Sequence, residues 1–93
     1  MNYKTKNIQK ALKKKGFNEI KERDHIYFFV YHNGKKSAIF TKLSRSIDEY
    51  GDELLTLVQH QLCLPKKSDL KRLLDCPMKE EEYINMMICL EKL

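Results

Sequence analysis

Histidine is the residue type in this sequence best suited to acid–base chemistry, because its ordinary pKa lies near neutrality. The chain has three histidines. His32 flanks an Asn33-Gly34 turn and is predicted to be solvated, while His60 lies on a predicted helix, where packing or surface exposure is the commoner role. His25 stands at the start of a predicted central strand. It is therefore the candidate catalytic residue.

The neighbour expected for His25 follows from the hairpin. Asn33-Gly34 predicts a type I′ turn, and a two-residue loop that pairs His32 with Lys35 places Lys42 directly opposite His25. An adjacent ammonium group disfavours protonation of an imidazole, so a neutral His25 could accept a proton from a ribose 2′-hydroxyl. Lys42 would then stabilise the charge that develops on an attacked phosphate.

Aromatic residues share the predicted face of the hairpin with His25. Tyr27, Phe29 and Phe40 could stack unpaired bases there. Aromatic residues on strands more often lie in a core or an interface, and the last helix could fold back over this face and bury it. From the residues alone, an RNA-cleaving site and a strand-end histidine with no special role both remain open.

Charge is divided unevenly along the 93 residues. Residues 1–45 hold ten lysines and two arginines against three acids, a net charge of +9, whereas residues 46–93 hold six basic and ten acidic residues, a net charge of −4. The total is +5. A basic region of this kind indicates a polyanionic partner, although an ordinary solvated surface also uses many lysines.

Motifs for metals, cofactors and export are absent from the sequence. It has no HExxH, GxSxG or glycine-rich phosphate loop, so we expect neither a metal nor a cofactor. Cys63, Cys76 and Cys89 form no CxxC pair and are predicted to be reduced, mostly buried thiols in a cytoplasmic protein. No apolar run approaches the ~18 residues of a membrane span, and the first residues lack the apolar core of a secretory signal.

The element pattern predicts an α+β fold of one small domain, with 42% hydrophobic and 33% charged residues. The expected order is α-β-β-β-α with a three-stranded antiparallel sheet, followed by two C-terminal helices. The helices are predicted at about 5–15, 48–62, 69–75 and 79–92, and the strands at 17–22, 25–31 and 36–43. Gly51 favours a later start of the second helix, near Asp52. Ser68 is the predicted cap of the third helix, and Pro77 is the predicted break before the fourth.

Four stretches of the sequence carry a family resemblance in combination with this order of elements. They are Leu12-Lys13-Lys14-Lys15-Gly16-Phe17, Arg23-Asp24-His25-Ile26-Tyr27-Phe28, Ser37-Ala38-Ile39-Phe40-Thr41 and the helix at 54–62. Over residues 5–63 the chain resembles the HicA family of bacterial and archaeal toxins, small mRNA interferases whose α-β-β-β-α fold is similar to the double-stranded-RNA-binding domain. Arg23 and Asp24 stand where that family usually has Gly and Ser.

The resemblance implies an organisation and a partner. It implies a HicA-like core domain over residues 1–63, a C-terminal helical extension over 64–93 packed on the same domain, and His25 in the role of the family's catalytic histidine. It also implies a HicB-type antitoxin as protein partner.

Three hypotheses for function follow from these observations. The first is a HicA-like endoribonuclease that needs no metal, with His25 as general acid or base and Lys42 in support. The second is a non-catalytic RNA-binding module on the same fold. The third is a protein-interaction module whose C-terminal helices, around residues 86–88, hold a partner or a second copy in a homodimer. The residues predicted to contact RNA are Lys10, Lys13, Lys14, Lys15, Arg23, Tyr27 and Lys36.

Overall fold

A three-stranded antiparallel sheet is the centre of the fold in the computed structural model, which describes residues 2–75 and 78–93. Along the chain the elements are β1 (Tyr3–Lys4), α1 (Thr5–Lys14), β2 (Asn18–Lys21), β3 (His25–His32), β4 (Lys35–Ser44), β5 (Glu49–Tyr50), α2 (Asp52–Gln61), α3 (Lys67–Leu74) and α4 (Glu80–Cys89). The sheet has the order β2-β3-β4, and β1 pairs with β5 in a separate two-stranded sheet. The predicted α+β class and three-stranded sheet are confirmed, while the small second sheet was not predicted.

Helix α1 begins through tertiary contacts rather than through a side-chain cap. The Thr5 hydroxyl donates to the carbonyl of Ile47 at 2.5 Å, and the Thr5 backbone N–H donates to the carbonyl of Asp48 at 2.8 Å. Both bonds follow from the pairing of β1 with β5, which brings the residues before α1 beside the β4–β5 connection. At the other end Gly16 stops the helix with φ of +83°, a conformation that favours glycine.

The β3–β4 hairpin has the predicted turn but a different register. Asn33 and Gly34 have φ of 54° and 74°, as a type I′ turn requires, and His32 pairs with Lys35. Between Phe29 and Tyr31 the register then shifts by two, because β4 carries two more residues than β3 over that stretch. A shift of two residues keeps every side chain on its face, but it changes every partner beyond the shift.

Alternate residues of the sheet divide into two faces, which we call inner and outer. The inner face is buried and consists of Ile26, Phe28, Val30, Ile39, Thr41 and Leu43. The outer face consists of Asn18, Ile20, His25, Tyr27, Phe29, Tyr31, Lys36, Phe40, Lys42 and Ser44, all exposed or half-buried. The inner face shares one hydrophobic core with residues of the helices, including Ile8 and Leu12 of α1 and Leu55 and Val58 of α2. The helices therefore cover the inner face.

Residues after 63 contribute to the same core. Leu70 and Leu73 of α3 and Tyr83 and Met87 of α4 are fully buried in it. The Tyr83 hydroxyl donates to the carbonyl of Leu62 at 2.8 Å, and its ring lies 5.3 Å from that of Phe17. The helices at 64–93 therefore pack against the end of α2 and the start of β2.

The starts of α2 and α3 test two sequence predictions. Gly51 precedes α2, so the helix begins at Asp52, the later of the predicted starts. Ser68 does not cap α3: the helix begins at Lys67, two residues earlier than predicted, and follows Lys66, whose backbone N–H donates to Asp69 Oδ2 at 3.2 Å. The Asp69 carboxylate, and not the serine hydroxyl, thus satisfies an amide at this end.

The cysteines differ from their predicted burial. Cys89 is exposed and Cys63 is half-buried, both as free thiols, because they fall at or just beyond helix ends rather than on the buried stripes. Cys76 and the predicted break at Pro77 lie outside the described residues. None of the helices in the described part of the chain combines the length and apolar character needed to cross a membrane.

Strand β4 forms one edge of the sheet, and side chains cover part of that edge. The backbone N–H of Lys42 donates to Gln61 Oε1 at 3.4 Å, and that of Ser44 donates to the hydroxyl of Tyr50 at 2.8 Å. Gln61 also accepts a 2.6 Å bond from the Thr41 hydroxyl. Helix α2 is thereby held beside the end of β4 that lies opposite His25.

Candidate nucleic-acid interface

The outer face carries a continuous series of aromatic rings that begins at His25. The ring centroids of His25 and Tyr27 are 6.4 Å apart, those of Tyr27 and Phe29 6.1 Å, and those of Phe29 and Phe40 5.2 Å. The last two pairs are stacked, with interplanar angles of 15° and 29°. The alternation of β3 places its three rings on one side, and the cross-strand pairing of Phe29 with Phe40 extends the series onto β4.

Helix α4 does not cover these rings. Phe40 remains 37% exposed, and Tyr31 at the end of the same face 39%. Helix α4 instead inserts Tyr83 and Met87 into the core on the helical side. The alternative in which the last helix folds back over the aromatic face is therefore wrong, and the rings are open to a partner.

The charges of the outer face are positive. Lys36 Nζ lies 3.8 Å from the centre of the Phe29 ring, a cation–π contact, and Lys42 stands directly opposite Tyr27. Among the described residues of β2, β3 and β4, no carboxylate shares this face: Glu19 is paired with Phe28 of the inner face, and its Oε1 lies 3.1 Å from Lys13 Nζ. Within these three strands the rings are thus accompanied by cations only.

The predicted pairing of His25 with Lys42 is wrong. His25 pairs with Ser44, because the two additional residues of β4 move each partner two positions along the strand. Lys42 keeps the same face and lies one step diagonally from His25, where Cβ atoms are typically ~7–8 Å apart. Both residues line one groove of about 300 Å³, so they still lie near one another without being directly paired.

The predicted RNA-binding lysines of α1 lie on the other side of the molecule. Helix α1 packs on the inner face, so its exposed residues Lys10, Lys13 and Lys14 lie on the helical side of the sheet, where Lys13 pairs with Glu19 of β2. Lys15 is only 6% exposed and does not belong to that exposed set. The structure therefore does not bring the lysines of α1 together with His25, whereas Tyr27 and Lys36 do share its face.

Arg23 lies close to His25, in the turn that precedes β3. Together with Asp24, His25, Ser44, Arg45 and Ser46 it lines a cavity of about 450 Å³. The backbone N–H of Arg45 donates to the carbonyl of Asp24 at 3.1 Å, which holds the two segments side by side. Sequence reasoning missed Arg45. In the sequence, Arg45 is only one residue of the polar connection 44–46. It lies beside His25 because the register shift pairs His25 with Ser44.

The groove shared by His25 and Lys42 also has an apolar wall. Helix α2 supplies Leu54, Leu57 and Val58 to it, and the β4–β5 connection supplies Ile47. Leu57 is 55% exposed, the highest value among the large hydrophobic residues exposed in the described part of the chain. Sequence reasoning placed no functional residue here, since Leu57 lies outside the buried stripe of α2 and carries no reactive group.

Other parts of the described chain offer weaker candidates. A cavity of about 550 Å³ at the start of α1 is lined by charges of both signs, including Lys6, Arg45 and Glu49, and contains none of the predicted site residues. Over residues 2–75 and 78–93, no group of three or more His, Cys, Asp or Glu side chains comes together in a way that could hold a metal ion.

Two tyrosines have clearly raised pKa values, and both lie away from the outer face. Partial burial, followed by the hydrogen bond that Tyr3 donates to Asp75 Oδ1 at 2.7 Å, raises the pKa of Tyr3 to about 12. Burial in the core, with a smaller contribution from the Cys63 charge, raises the pKa of Tyr83 well above its ordinary value. Both shifts report on packing among the helices and β1 rather than on the candidate site.

Comparison with known proteins returned no match: no family model, no curated protein and no solved structure corresponds to the chain. The residues and geometry of the outer face are therefore the basis for the function proposed below.

Proposed function

We propose that the protein is a HicA-like endoribonuclease that binds single-stranded RNA on the outer face and cleaves it without a metal ion. The observation that carries the proposal is the series of half-buried to exposed rings from His25 to Phe40, accompanied by Lys36 and Lys42 and by no carboxylate of β2, β3 or β4. Single-stranded RNA offers the two groups that such a surface can bind: flat bases for the rings and phosphates for the lysines.

The chemistry would centre on the imidazole of His25. It removes the proton from a ribose 2′-hydroxyl, the 2′-oxygen attacks the adjacent phosphorus, and the bond from phosphorus to the 5′-oxygen breaks. The products are a 2′,3′-cyclic phosphate and a 5′-hydroxyl, whose oxygen takes a proton from the imidazolium or from water. Lys42, on the same face and in the same groove, would stabilise the additional negative charge on the phosphate.

Cleavage of a labelled single-stranded RNA in EDTA tests the proposal. Wild-type protein is expected to cut, and His25→Ala is expected to lose about 10²–10⁴-fold in rate, the usual contribution of a general acid or base. His60→Ala is the matched control, because His60 is an exposed histidine of α2 outside the outer face and its loss should leave the rate unchanged. Equal cutting by wild type and His25→Ala, or no cutting by wild type, would contradict the catalytic assignment.

A non-catalytic RNA-binding module is the second candidate. It is favoured by the pairing of His25 with Ser44 rather than with Lys42, and by Arg23-Asp24 before the histidine, where HicA proteins have Gly-Ser. This candidate predicts salt-dependent RNA binding that survives His25→Ala, with no cleavage by either protein. Loss of binding on that single change would count against it.

A protein-interaction module is the third candidate, favoured by the end of α4. Ile88 and Leu90 are 44% and 42% exposed there, whereas Met87 beside them is fully buried in the core. The occupant proposed for this end is a second copy of the chain or, from the HicA resemblance, a HicB-type antitoxin. A monomer by light scattering, with residues 79–92 protected from hydrogen exchange, would argue against self-association.

A further inference from the structure

Two cavities adjoin at His25, and their linings differ in chemistry. His25 and Ser44 line both the cavity of about 450 Å³ and the groove of about 300 Å³. Because these two residues are cross-strand partners, the cavities lie to either side of one pair at the end of the β3–β4 ladder. The volume of each lies within the lower part of the range typical of small-molecule sites.

The larger cavity is lined by basic and hydroxyl-bearing residues. Arg23 and Arg45 line it together with Ser44 and Ser46, whose hydroxyl oxygens are 3.0 Å apart. Asp24 contributes the one carboxylate among its lining residues, so the lining remains net positive. Guanidinium and hydroxyl donors of this kind suit a phosphate group.

The smaller groove is largely apolar, with polar groups at its rim. Leu54 and Leu57 form one wall, and Lys42 stands opposite them with His25. Gln61 lines the groove too; its Oε1 accepts from Thr41 and Lys42, and its amide nitrogen has no hydrogen-bond partner among the described residues. A flat apolar ring with polar edges would cover the exposed Leu57 and meet the amide donors of Gln61.

We propose that the two cavities form a single nucleotide subsite, with the base in the groove against Leu57, the phosphate at Arg45 and the ribose beside His25. This occupant follows from the chemistry of the two linings, because a nucleotide joins an anion to a flat ring, as the protein joins a basic cavity to an apolar groove at His25 and Ser44. The inference rests on the proposed function only in that RNA would supply the nucleotide. It adds Leu57, Gln61 and Arg45 to the substrate-binding residues.

Titration of 13C-methyl-labelled protein with AMP, and separately with UMP, tests the subsite. The methyl signals of Leu54 and Leu57 are expected to shift, and Leu57→Ser is expected to weaken AMP binding about tenfold, because the base loses its apolar contact with the leucine side chain. Ile88→Ser is the matched control, because it removes an exposed apolar side chain of another helix. Arg45→Gln should reduce the advantage of AMP over adenosine, which lacks the phosphate, while Arg23 retains part of it.

Any of three outcomes would overturn the inference. The first is that neither nucleotide shifts the methyl signals of Leu54 and Leu57. The second is equal AMP affinity in Leu57→Ser and Ile88→Ser, and the third is that Arg45→Gln keeps the full advantage of AMP over adenosine. RNA cleavage by wild type in EDTA separates the two proposals. Cleavage without a nucleotide response leaves the endoribonuclease and removes the subsite. A nucleotide response without cleavage leaves the subsite and removes the endoribonuclease.

Discussion

The inner and outer faces of the same three strands differ in burial, because the helices cover only the inner face. Phe28 and Phe29 are neighbours of the same residue type in β3, yet Phe28 is fully buried against the helices and Phe29 stacks on Phe40 at an open surface. Residue type therefore does not decide the role of an aromatic residue in this sheet. The side on which the helices pack decides it: inner-face rings stabilise the fold, and outer-face rings remain free to bind.

The largest expected effect is on the inner face. Phe28→Ala should lower the free energy of unfolding by about 3–5 kcal/mol, the usual result of emptying a large buried site. Phe29→Ala should cost much less, because its ring is only half-buried and leaves no closed cavity. Urea denaturation followed by circular dichroism measures both. Equal losses would mean that the outer face is as much a part of the core as the inner face.

RNA binding, unlike stability, should depend on the outer face. Phe29→Ala is expected to weaken binding to a single-stranded RNA about tenfold at fixed salt, since base stacking on an aromatic side chain contributes ~1–3 kcal/mol. Leu90→Ala is the control, because Leu90 is a similarly exposed apolar residue of the α4 end. Fluorescence anisotropy gives both affinities. If the two variants bind RNA equally well, the outer face is not the RNA surface.

Gly16 ends α1 in a left-handed backbone conformation and lies beside the carboxylate end of the Glu80 side chain of α4. Gly16→Ala should destabilise the protein by about 1–2 kcal/mol, because φ of +83° disfavours a side chain. Gly34→Ala is the matched control, since φ is +74° there and nothing lies within 4 Å of a Cβ. The two losses, measured by thermal denaturation, should be similar, because the exposed Glu80 side chain can move away from the new Cβ. A clearly larger loss in Gly16→Ala would contradict this and would mean that α4 itself is displaced.

The smallest expected effect concerns Tyr3, which links β1 to the end of α3. Its folded-state pKa of about 12 lies above the ordinary value of 10.0, so its contribution is complete below pH 10 and is lost as the pH rises through 12. Tyr3→Phe should remove this part of the pH dependence and cost at most about 1 kcal/mol at neutral pH, since the bond to Asp75 is exposed. Unfolding free energies of both proteins between pH 9 and 12 measure the difference, and parallel curves would contradict it.

Local signals in the sequence were sufficient for most elements. Asn33-Gly34 predicted the hairpin turn, Gly16 the end of α1 and Gly51 the start of α2, because each residue supplies a backbone conformation or a break that others disfavour. The two-residue strands β1 and β5 were missed, since they are too short to show alternation. The prediction of Ser68 as the cap of α3 was wrong, because a serine before an apolar run is a common cap but not an obligatory one. The Asp69 carboxylate accepts from the backbone N–H of Lys66 instead.

The candidate site was predictable in part. Alternation along β3 placed His25, Tyr27 and Phe29 on one face, and that assignment survived the register shift because a shift of two preserves alternation. The partner of His25 was not predictable, since no residue type marks the irregularity in β4. The sequence also did not predict that the lysines of α1 and the outer face lie on opposite sides of the sheet. The net charge of a segment carries no information on the side to which a helix packs.

The capped end of β4 restricts how another chain can join this sheet. A strand added at that edge would need the amide donors of Lys42 and Ser44, and these are already bonded to Gln61 and Tyr50. Templated growth of the sheet from this end is thereby blocked, as is recognition of a peptide by strand addition. A partner that reaches His25 must lie across the strands and meet side chains, because the backbone beside His25 has no free donor to offer at these two positions.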